Sequence, residues 1–595
     1  MADTNEHHPQ QQAALRRGWW LWPAVALAGV VLVLMRLHAF ELPLEADEGN
    51  YAYIGGRLLA GDRLYVDVWD HQPPGVFALF AGVIAVFGDG PLVFRWMATG
   101  FSLATLALLA SFLHRWWGRA AAVSGAALFA VVSSDPATSG EGCNREIYMV
   151  SLIVAAWWFA VRPGRPRIGW LVAAGTLLGI ASLLKTVVAV HWLFLAIWLA
   201  IRLCRNTDSA SPSAAAASEG RPRSGRPPSR PQTGTTEPGS PALQPPPAGA
   251  EQVAAGHTAA PTAPIARTAR GILAFGIGPA TLWLATLLYF AAADRASEFI
   301  DAVFLVNLGY SGSGGAFGER FLHFFSPPGH LLPVYSALPL WWAGVGAVAV
   351  LLVTALRHRH ATAWALLALL AASYVVVCLP AQFWPHYYYL MIPALVIAVT
   401  AVAGQLAAWA GTLVPSHHAR TALSVILYAA VPGLTLHAQW GEYLSRSPLD
   451  ITLRKYNTRD FWARGIAEKV RSVTDRQDRV FVFSNDASIY YYAGRRCASR
   501  FTMVTGLRAA YAGAEQRRAL LLDDLTRHRP RLILILSDED PFDEWVRFLH
   551  TRYGDPIGWD FHDLEGHPIM FVLADPARPV RPIDWNWDRS EIRNR

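Results

Sequence analysis

The sequence predicts an α-helical polytopic membrane protein that ends in a small α/β domain. Apolar stretches recur along most of its 595 residues, which are 53% hydrophobic and only 16% charged. Arginine-rich turns separate alternate stretches in the way that cytoplasmic loops do. Beyond residue 437 the pattern changes to short β-branched runs alternating with helical ones.

Membrane spans are expected at 19–37, 91–113, 120–132, 147–161, 168–184, 187–203, 271–293, 331–356, 361–379, 387–406 and 421–436, about eleven in all. Arg16 and Arg17 precede the first span and Arg36 ends it, with no small-residue cleavage site, so it reads as an anchor after a cytoplasmic tail, 1–18. Alternation then places Arg115 and Arg119, the turn with Arg162, Arg165 and Arg167, the region after Arg202, and Arg357 and Arg359 all in the cytoplasm. This register requires residues 76–87 to lie at the outer surface without crossing. Residues 19–205 form a first transmembrane module that includes an outer loop, 39–90. Residues 206–268, rich in Pro, Ser, Gly and Ala, bury too little to offset their ordering entropy and are expected to be a disordered cytoplasmic linker. Residues 269–437 form a second module.

In the C-terminal domain, 438–595, helical patterns at 459–474, 514–528 and 543–551 alternate with strand patterns at 479–485 and 531–537. An odd number of spans places this domain outside. It carries no GxGxxG, P-loop or metal-binding signature.

The excess of 51 basic over 44 acidic side chains is taken up largely by the cytoplasmic turns and the linker, so no nucleic-acid partner is implied. Cys143, Cys204, Cys378 and Cys497 lack metal-ligand spacing. Three of them face the oxidising side on this topology, where one pair has the opportunity to bridge; free buried thiols are the simpler expectation.

The chemistry-bearing stretch follows the first span directly: "LEADEGNYAYIGGRLLAGDRLYVDVWDHQPPG", residues 44–75. In a helical turn i and i+4 share a face, so Asp47 aligns with Tyr51 while Glu48 points elsewhere. Adjacent carboxylates raise one another's pKa, which suits a general base; acids at a helix N-terminus are the competing structural reading. Asp70, His71 and Gln72 sit before a proline pair that opens a surface helix, a place for a cap or for an anion. Lys185, in "GIASLLKTVVAV", is flanked by apolar helix at the outer boundary and needs a partner or a cavity, unless it snorkels to the interface. With acidic loops beside it, Lys185 is the available cation for an anionic lipid headgroup. A second outer loop carries Asn144, Arg145 and Glu146. A third, "QFWPHYYYL", carries His386 and Tyr387, with Tyr387, Tyr388 and Tyr389 expected in the interfacial belt. Carboxylates activate hydroxyls, cations hold phosphate and aromatic faces stack on sugars, so this set fits transfer of a sugar from a lipid phosphate.

In order along the chain, "DEGNY" (47–51), "PPG" (73–75), "NREIYM" (144–149), "LLKT" (183–186), "PHYY" (385–388) and "SIYYYAGRRCASRF" (488–501) resemble the bacterial protein mannosyltransferase and aminoarabinose transferase superfamily. The resemblance covers nearly all the chain except the linker and is strongest over 45–74. It implies a GT-C fold and dependence on a polyprenyl-phosphate sugar donor, with Asp47 as catalytic base and Lys185 on the lipid phosphate. Members commonly carry Lys before the proline pair where this chain has Gln72. A neutral amide cannot neutralise phosphate, so either His71 or Lys185 substitutes, or the donor sits differently.

The expected function is therefore inverting glycosyl transfer at the outer face of a bacterial cytoplasmic membrane, onto a hydroxyl of a glycan, lipid or protein. Asp47 and Glu48 are the expected catalytic acids. Lys185, His71 and Arg145 are expected on the donor phosphate, and Tyr51, Asp70, Gln72, Asn144, Glu146, His386 and Tyr387 on sugar or acceptor. A divalent cation is compatible with the carboxylates but is not firmly expected, because no hard-ligand cluster lies outside the first loop. A transporter or non-catalytic lipid-binding protein is the alternative; it calls for polar groups along the bilayer midplane, whereas these gather at one face.

Overall fold

The computed structural model describes residues 20–162, 164, 166–205, 262–312, 316–325, 337–358, 361–448, 450–451, 459–536, 541–553, 561–562 and 568–580. The expected tail, 1–18, and the expected linker up to residue 261 lie outside them. Helices follow in the order α1 Leu21–Leu37, α2 Ala46–Leu59, α3 Pro74–Phe87, α4 Pro91–Val132, α5 Arg145–Ala160, α6 Ile168–Leu184, α7 Ala189–Arg205, α8 Thr262–Ala292, α9 Leu338–His358, α10 Ala361–Cys378, α11 Ile392–Leu413 and α12 His417–Gln439. Among the described residues seven helices are long and apolar enough to cross a membrane, while α1, α3 and α6 are shorter apolar helices. The chain is a multi-pass membrane protein.

Over its described residues each expected span coincides with a helix, and residues 19 and 331–336 lie outside the described residues. The expected pair 91–113 and 120–132 is the two halves of α4, which meet at Gly118, where φ is 84° and ψ −169°. A residue without Cβ reverses the chain there in one step, and the halves pack so closely that a Cβ on Gly125 would collide with the Leu113 side chain. Residues 262–268, assigned to the linker from composition, are the first turns of α8. The surface helix α3 has 14 residues, about 21 Å at 1.5 Å per residue, short of a typical hydrocarbon core. Short helical segments at Ala296–Ile300, Asp301–Leu305 and Val306–Gly312, which carry no strong periodicity, bring Asn307 and Tyr310 over the first outer loop.

The C-terminal domain runs α13 Arg459–Val473, β1 Arg479–Phe483, α14 Ser488–Ala493, β2 Arg496–Cys497, α15 Ala514–His528, β3 Leu532–Leu536, α16 Asp543–Arg552, β4 Phe561–His562 and β5 Pro568–Ala574. Its sheet has the order β2-β1-β3-β5-β4, parallel from β2 to β3 and antiparallel through β5 and β4. The parallel strands β1 and β3 are continuous apolar runs buried on both faces, and Trp545 of α16 stacks on Phe483 at 4.7 Å. Strands β2 and β4 are two residues long and give sequence periodicity nothing to register.

This domain is seated on the first outer loop, so the two lie on the same side. Trp69 N donates to the Arg500 carbonyl at 2.9 Å, Cys497 N donates to the Tyr53 hydroxyl at 2.9 Å, and Arg496 pairs with Asp62 at 2.7 Å. Helix α2 meets α14 so closely that a Cβ on Gly49 would lie 2.4 Å from the Ser488 backbone. All four cysteines are free thiols, with Cys143, Cys378 and Cys497 buried.

Candidate active site

Helix α2 organises the site because its side chains leave in four directions. Its start is a capping box between Glu45 and Glu48, which fixes the first turn. Asp47 faces outward with 30% of its side chain exposed, and its Oδ2 accepts from the Tyr51 hydroxyl one turn later at 3.3 Å. Glu48 points the other way, into the protein. Its carboxylate pairs with Arg95 at 3.3 Å and accepts from the Cys143 amide, so it holds the second outer loop instead of joining Asp47. Asn144 also serves that framework, donating to Glu45 at 2.9 Å. Of the remaining loop acids, Asp62 pairs with Arg57 and Arg496, and Asp67 with Arg63.

The charged centre lies opposite Asp47. Arg145, buried at the start of α5, donates to the Tyr51 hydroxyl and stands 4.0 Å from Asp47 Oδ2. Glu146 Oε1 sits between two cations, 3.0 Å from Lys185 Nζ and 3.5 Å from Arg145 Nε. Lys185 is held where the chain breaks from α6 with extended backbone, and it does not snorkel. Its ammonium lies 3.3 Å over the Tyr387 ring. The two cations share the Glu146 carboxylate, and Asp47 adds a second carboxylate beside Arg145, so the charges of the centre balance. Glu146 Oε2 and His386 Nε2 are buried without a hydrogen-bond partner among the described residues.

The expected tyrosine belt is corrected by the structure. The 3₁₀ turn Pro385–Met391 rolls Tyr387, Tyr388 and Tyr389 into the bundle, each at most 2% exposed. Tyr387 reaches the Tyr310 hydroxyl at 3.1 Å, and the Tyr310 ring lies 5.3 Å from that of His71. Tyr310, Asn307 and Trp384 therefore belong to the site wall, although no spacing in the sequence singled them out.

Asp70, His71 and Gln72 form the third side. Asp70 Oδ1 accepts from Gln72 N at 2.8 Å and faces His71 Nδ1 at 3.4 Å, while His71 Nε2 meets Gln72 Nε2 at 2.7 Å. This network assigns the ring proton to Nδ1. Burial, reinforced by the Arg145 and Lys185 charges, pushes His71 down to about 3, so the imidazole is neutral. Burial, reinforced by Asp47, pushes Asp70 up to about 7. Of the two replacements for a lysine at position 72, Lys185 is the one with an ammonium group, pushed down to about 7 by burial against the pull of Glu146, and Arg145 stands beside it. Among the described residues no group of three or more His, Cys, Asp or Glu side chains converges as a metal-ligand set.

Residues 71–216 match the dolichyl-phosphate-mannose-protein mannosyltransferase family. No curated protein sequence matches the chain. Among solved structures, ArnT from Cupriavidus metallidurans is similar in its undecaprenyl-phosphate-bound state, with TM-score 0.54 and 15% identity over 95% of this chain and 99% of that one. Its apo state gives TM-score 0.55 at the same identity and coverage. The archaeal oligosaccharyltransferase AglB from Archaeoglobus fulgidus, in complex with an inhibitory peptide and a dolichol-phosphate, gives TM-score 0.51 and 11% identity over 87% of this chain and 70% of that one. The superfamily resemblance read from the motifs is thus borne out, by the family match over 71–216 and by a GT-C fold over nearly the whole chain.

Proposed function

We propose that this protein is a membrane glycosyltransferase that moves a sugar from a polyprenyl-phosphate donor to an acceptor hydroxyl, with inversion, at the outer face of a bacterial cytoplasmic membrane. The observation that carries the reading is the exposed carboxylate of Asp47 facing the buried Arg145–Glu146–Lys185 centre. Asp47 takes the proton of the acceptor hydroxyl as its oxygen bonds to the anomeric carbon. The bond from that carbon to the phosphate oxygen breaks, and polyprenyl phosphate leaves with its growing charge held by Lys185 and Arg145. Glu146 Oε2, His386 and the Tyr387–Tyr310 pair orient sugar or acceptor. Asp70, His71 and Gln72 bound the phosphate site with hydrogen-bonding groups, none of them a cation. Two solved relatives of like fold hold polyprenyl phosphates, which supports a lipid-linked donor here.

The test is transfer of labelled sugar from a polyprenyl-phosphate donor in reconstituted membranes, with donor binding measured in parallel. Asp47→Asn keeps shape but removes the proton acceptor, so turnover should fall by about two orders of magnitude or more while donor binding persists. A fully active Asp47→Asn protein would falsify the assignment of the base. Binding of donor by the wild type without any turnover would return the chain to lipid binding alone.

A further inference from the structure

A chain of buried hydrogen bonds runs from the C-terminal domain into the site. The Thr502 hydroxyl donates to Asn50 Oδ1 at 2.7 Å, and Asn50 Nδ2 donates to Asp70 Oδ2 at 2.5 Å. Asp70 then holds Gln72 through its backbone N–H at 2.8 Å and faces the His71 ring. Thr502 and Asn50 are fully buried, and Asp70 and Gln72 nearly so. No link is to solvent.

We infer that Thr502 and Asn50 are positioning residues, through which the C-terminal domain sets the orientation of the His71–Gln72 turn that faces the donor phosphate. The reason lies in the amide. An asparagine side chain has one acceptor and one donor end of nearly equal shape, and something must decide which end faces Asp70. Thr502 decides it by occupying the carbonyl oxygen, which leaves the NH₂ group for the Asp70 carboxyl. Without that hydroxyl the amide is free to turn its oxygen toward Asp70, which takes the N–H donor away from the ionised carboxylate and puts a repulsive contact in a dry place. Asp70 then loses the donor that fixes it, and the turn it anchors loosens. The far side of the turn is already braced, since Asn307 Nδ2 donates to the His71 carbonyl at 2.6 Å and the Tyr65 hydroxyl to the Gln72 carbonyl at 2.8 Å. The hydrogen-bond chain from Thr502 therefore orients the side chains of the turn more than its backbone path. The domain is on this view a working part of the transferase unit, because it supplies the last constraint on a site whose other walls come from the three outer loops and the break at Lys185.

This rests on the proposed donor site, and the experiment separates the two. Full-length wild type, Thr502→Val, Thr502→Ser and Asn50→Leu are compared in reconstituted membranes for binding of polyprenyl phosphate and for labelled-sugar transfer at limiting and saturating donor. Thr502→Val keeps the shape and removes the hydroxyl. Donor affinity should fall about tenfold while turnover at saturating donor changes less than about threefold, and Asn50→Leu should match it. Thr502→Ser restores the hydroxyl but leaves out a methyl group, so it should recover wild-type affinity. A Thr502→Ser protein as weak as Thr502→Val makes the effect one of packing and overturns the inference. So does a Thr502→Val protein with wild-type affinity. A wild type that neither binds polyprenyl phosphate nor transfers sugar fails the donor-site reading itself.

Discussion

At the level of single residues, the site divides a crowded set of acids into those that hold the fold and those left to react. Glu48 and Asp62 are consumed by buried or half-buried arginine pairs, whereas Asp47 keeps an open face. Adjacent in sequence, Asp47 and Glu48 part company because successive helical side chains diverge by about 100°. Lys185 should behave differently from Asp47. Lys185→Met keeps the stem but removes the charge that stabilises both bound and leaving phosphate, so donor binding and turnover should fall together, each by about tenfold or more. Loss of turnover with unchanged binding would reassign Lys185 to the acceptor. Asp70 leaves a signature in stability. Its folded-state value of about 7 lies above the ordinary carboxyl range, so between about pH 4 and pH 7 the folded protein retains a proton that the unfolded chain releases. Its contribution is therefore present at low pH and lost as pH rises through 7, with a limiting slope of about 1.4 kcal/mol per pH unit. His71, depressed to about 3, acts in the opposite sense, its contribution being lost as pH falls below about 6.5. Unfolding midpoints of wild type and Asp70→Asn in detergent between pH 5 and 8 isolate the first effect: the wild type should lose stability relative to the variant as pH rises. A difference that does not change with pH would show that Asp70 is ionised throughout.

At the level of elements, helix α2 is the hinge of the arrangement. One face carries Asp47 and Tyr51 to Arg145, another carries Glu48 to Arg95, and Asn50 and Tyr53 reach the C-terminal domain. Helix α14 lies against it at Gly49, where there is no room for a side chain. Gly49→Ala places a methyl group 2.4 Å from the Ser488 backbone, which cannot move aside as a flexible side-chain end would. The expected result is a domain lifted from the loop: faster proteolysis of the α13–β5 region and weaker donor binding, with membrane insertion retained. Wild-type protease resistance in that variant would mean that the helices separate without loss of docking. The predicted positions of α3 and α6 follow from apolar period and proline placement, and so does the break at Lys185 between the expected spans 168–184 and 187–203. What the pattern does not show is the partner: at that break Lys185 pairs with Glu146 from another helix.

For the whole molecule, the contacts between the first outer loop and the C-terminal domain require both to lie on one side of the membrane. We propose from the arginine-bearing turns that this side is the one away from the cytoplasm. A periplasm-dependent reporter fused after residue 580 should be active, and a cytoplasm-dependent reporter inserted within residues 206–261 should be active as well. The reverse pair of results would invert the topology while leaving the site intact. The same assembly explains why a chain at 15% identity to ArnT keeps its fold: a bundle packed through many apolar side chains tolerates substitution so long as volume and pattern survive.

Hydrophobic period, arginine placement and turn residues are local signals, and they sufficed for the membrane class, the helix positions, the α/β character of the C-terminal domain and the alignment of Asp47 with Tyr51. Motif order pointed to the superfamily. What tertiary structure alone decided is who meets whom. Thr502 is 452 positions from Asn50, and Lys185 is 39 from Glu146. No periodicity spans such separations, because contacts of that kind form only when helices from different parts of the chain pack. The protonation of His71 belongs to the same category: its sequence neighbours are an acid and an amide, which alone would keep it near its ordinary value, and it is burial beside Arg145 and Lys185 that makes it neutral.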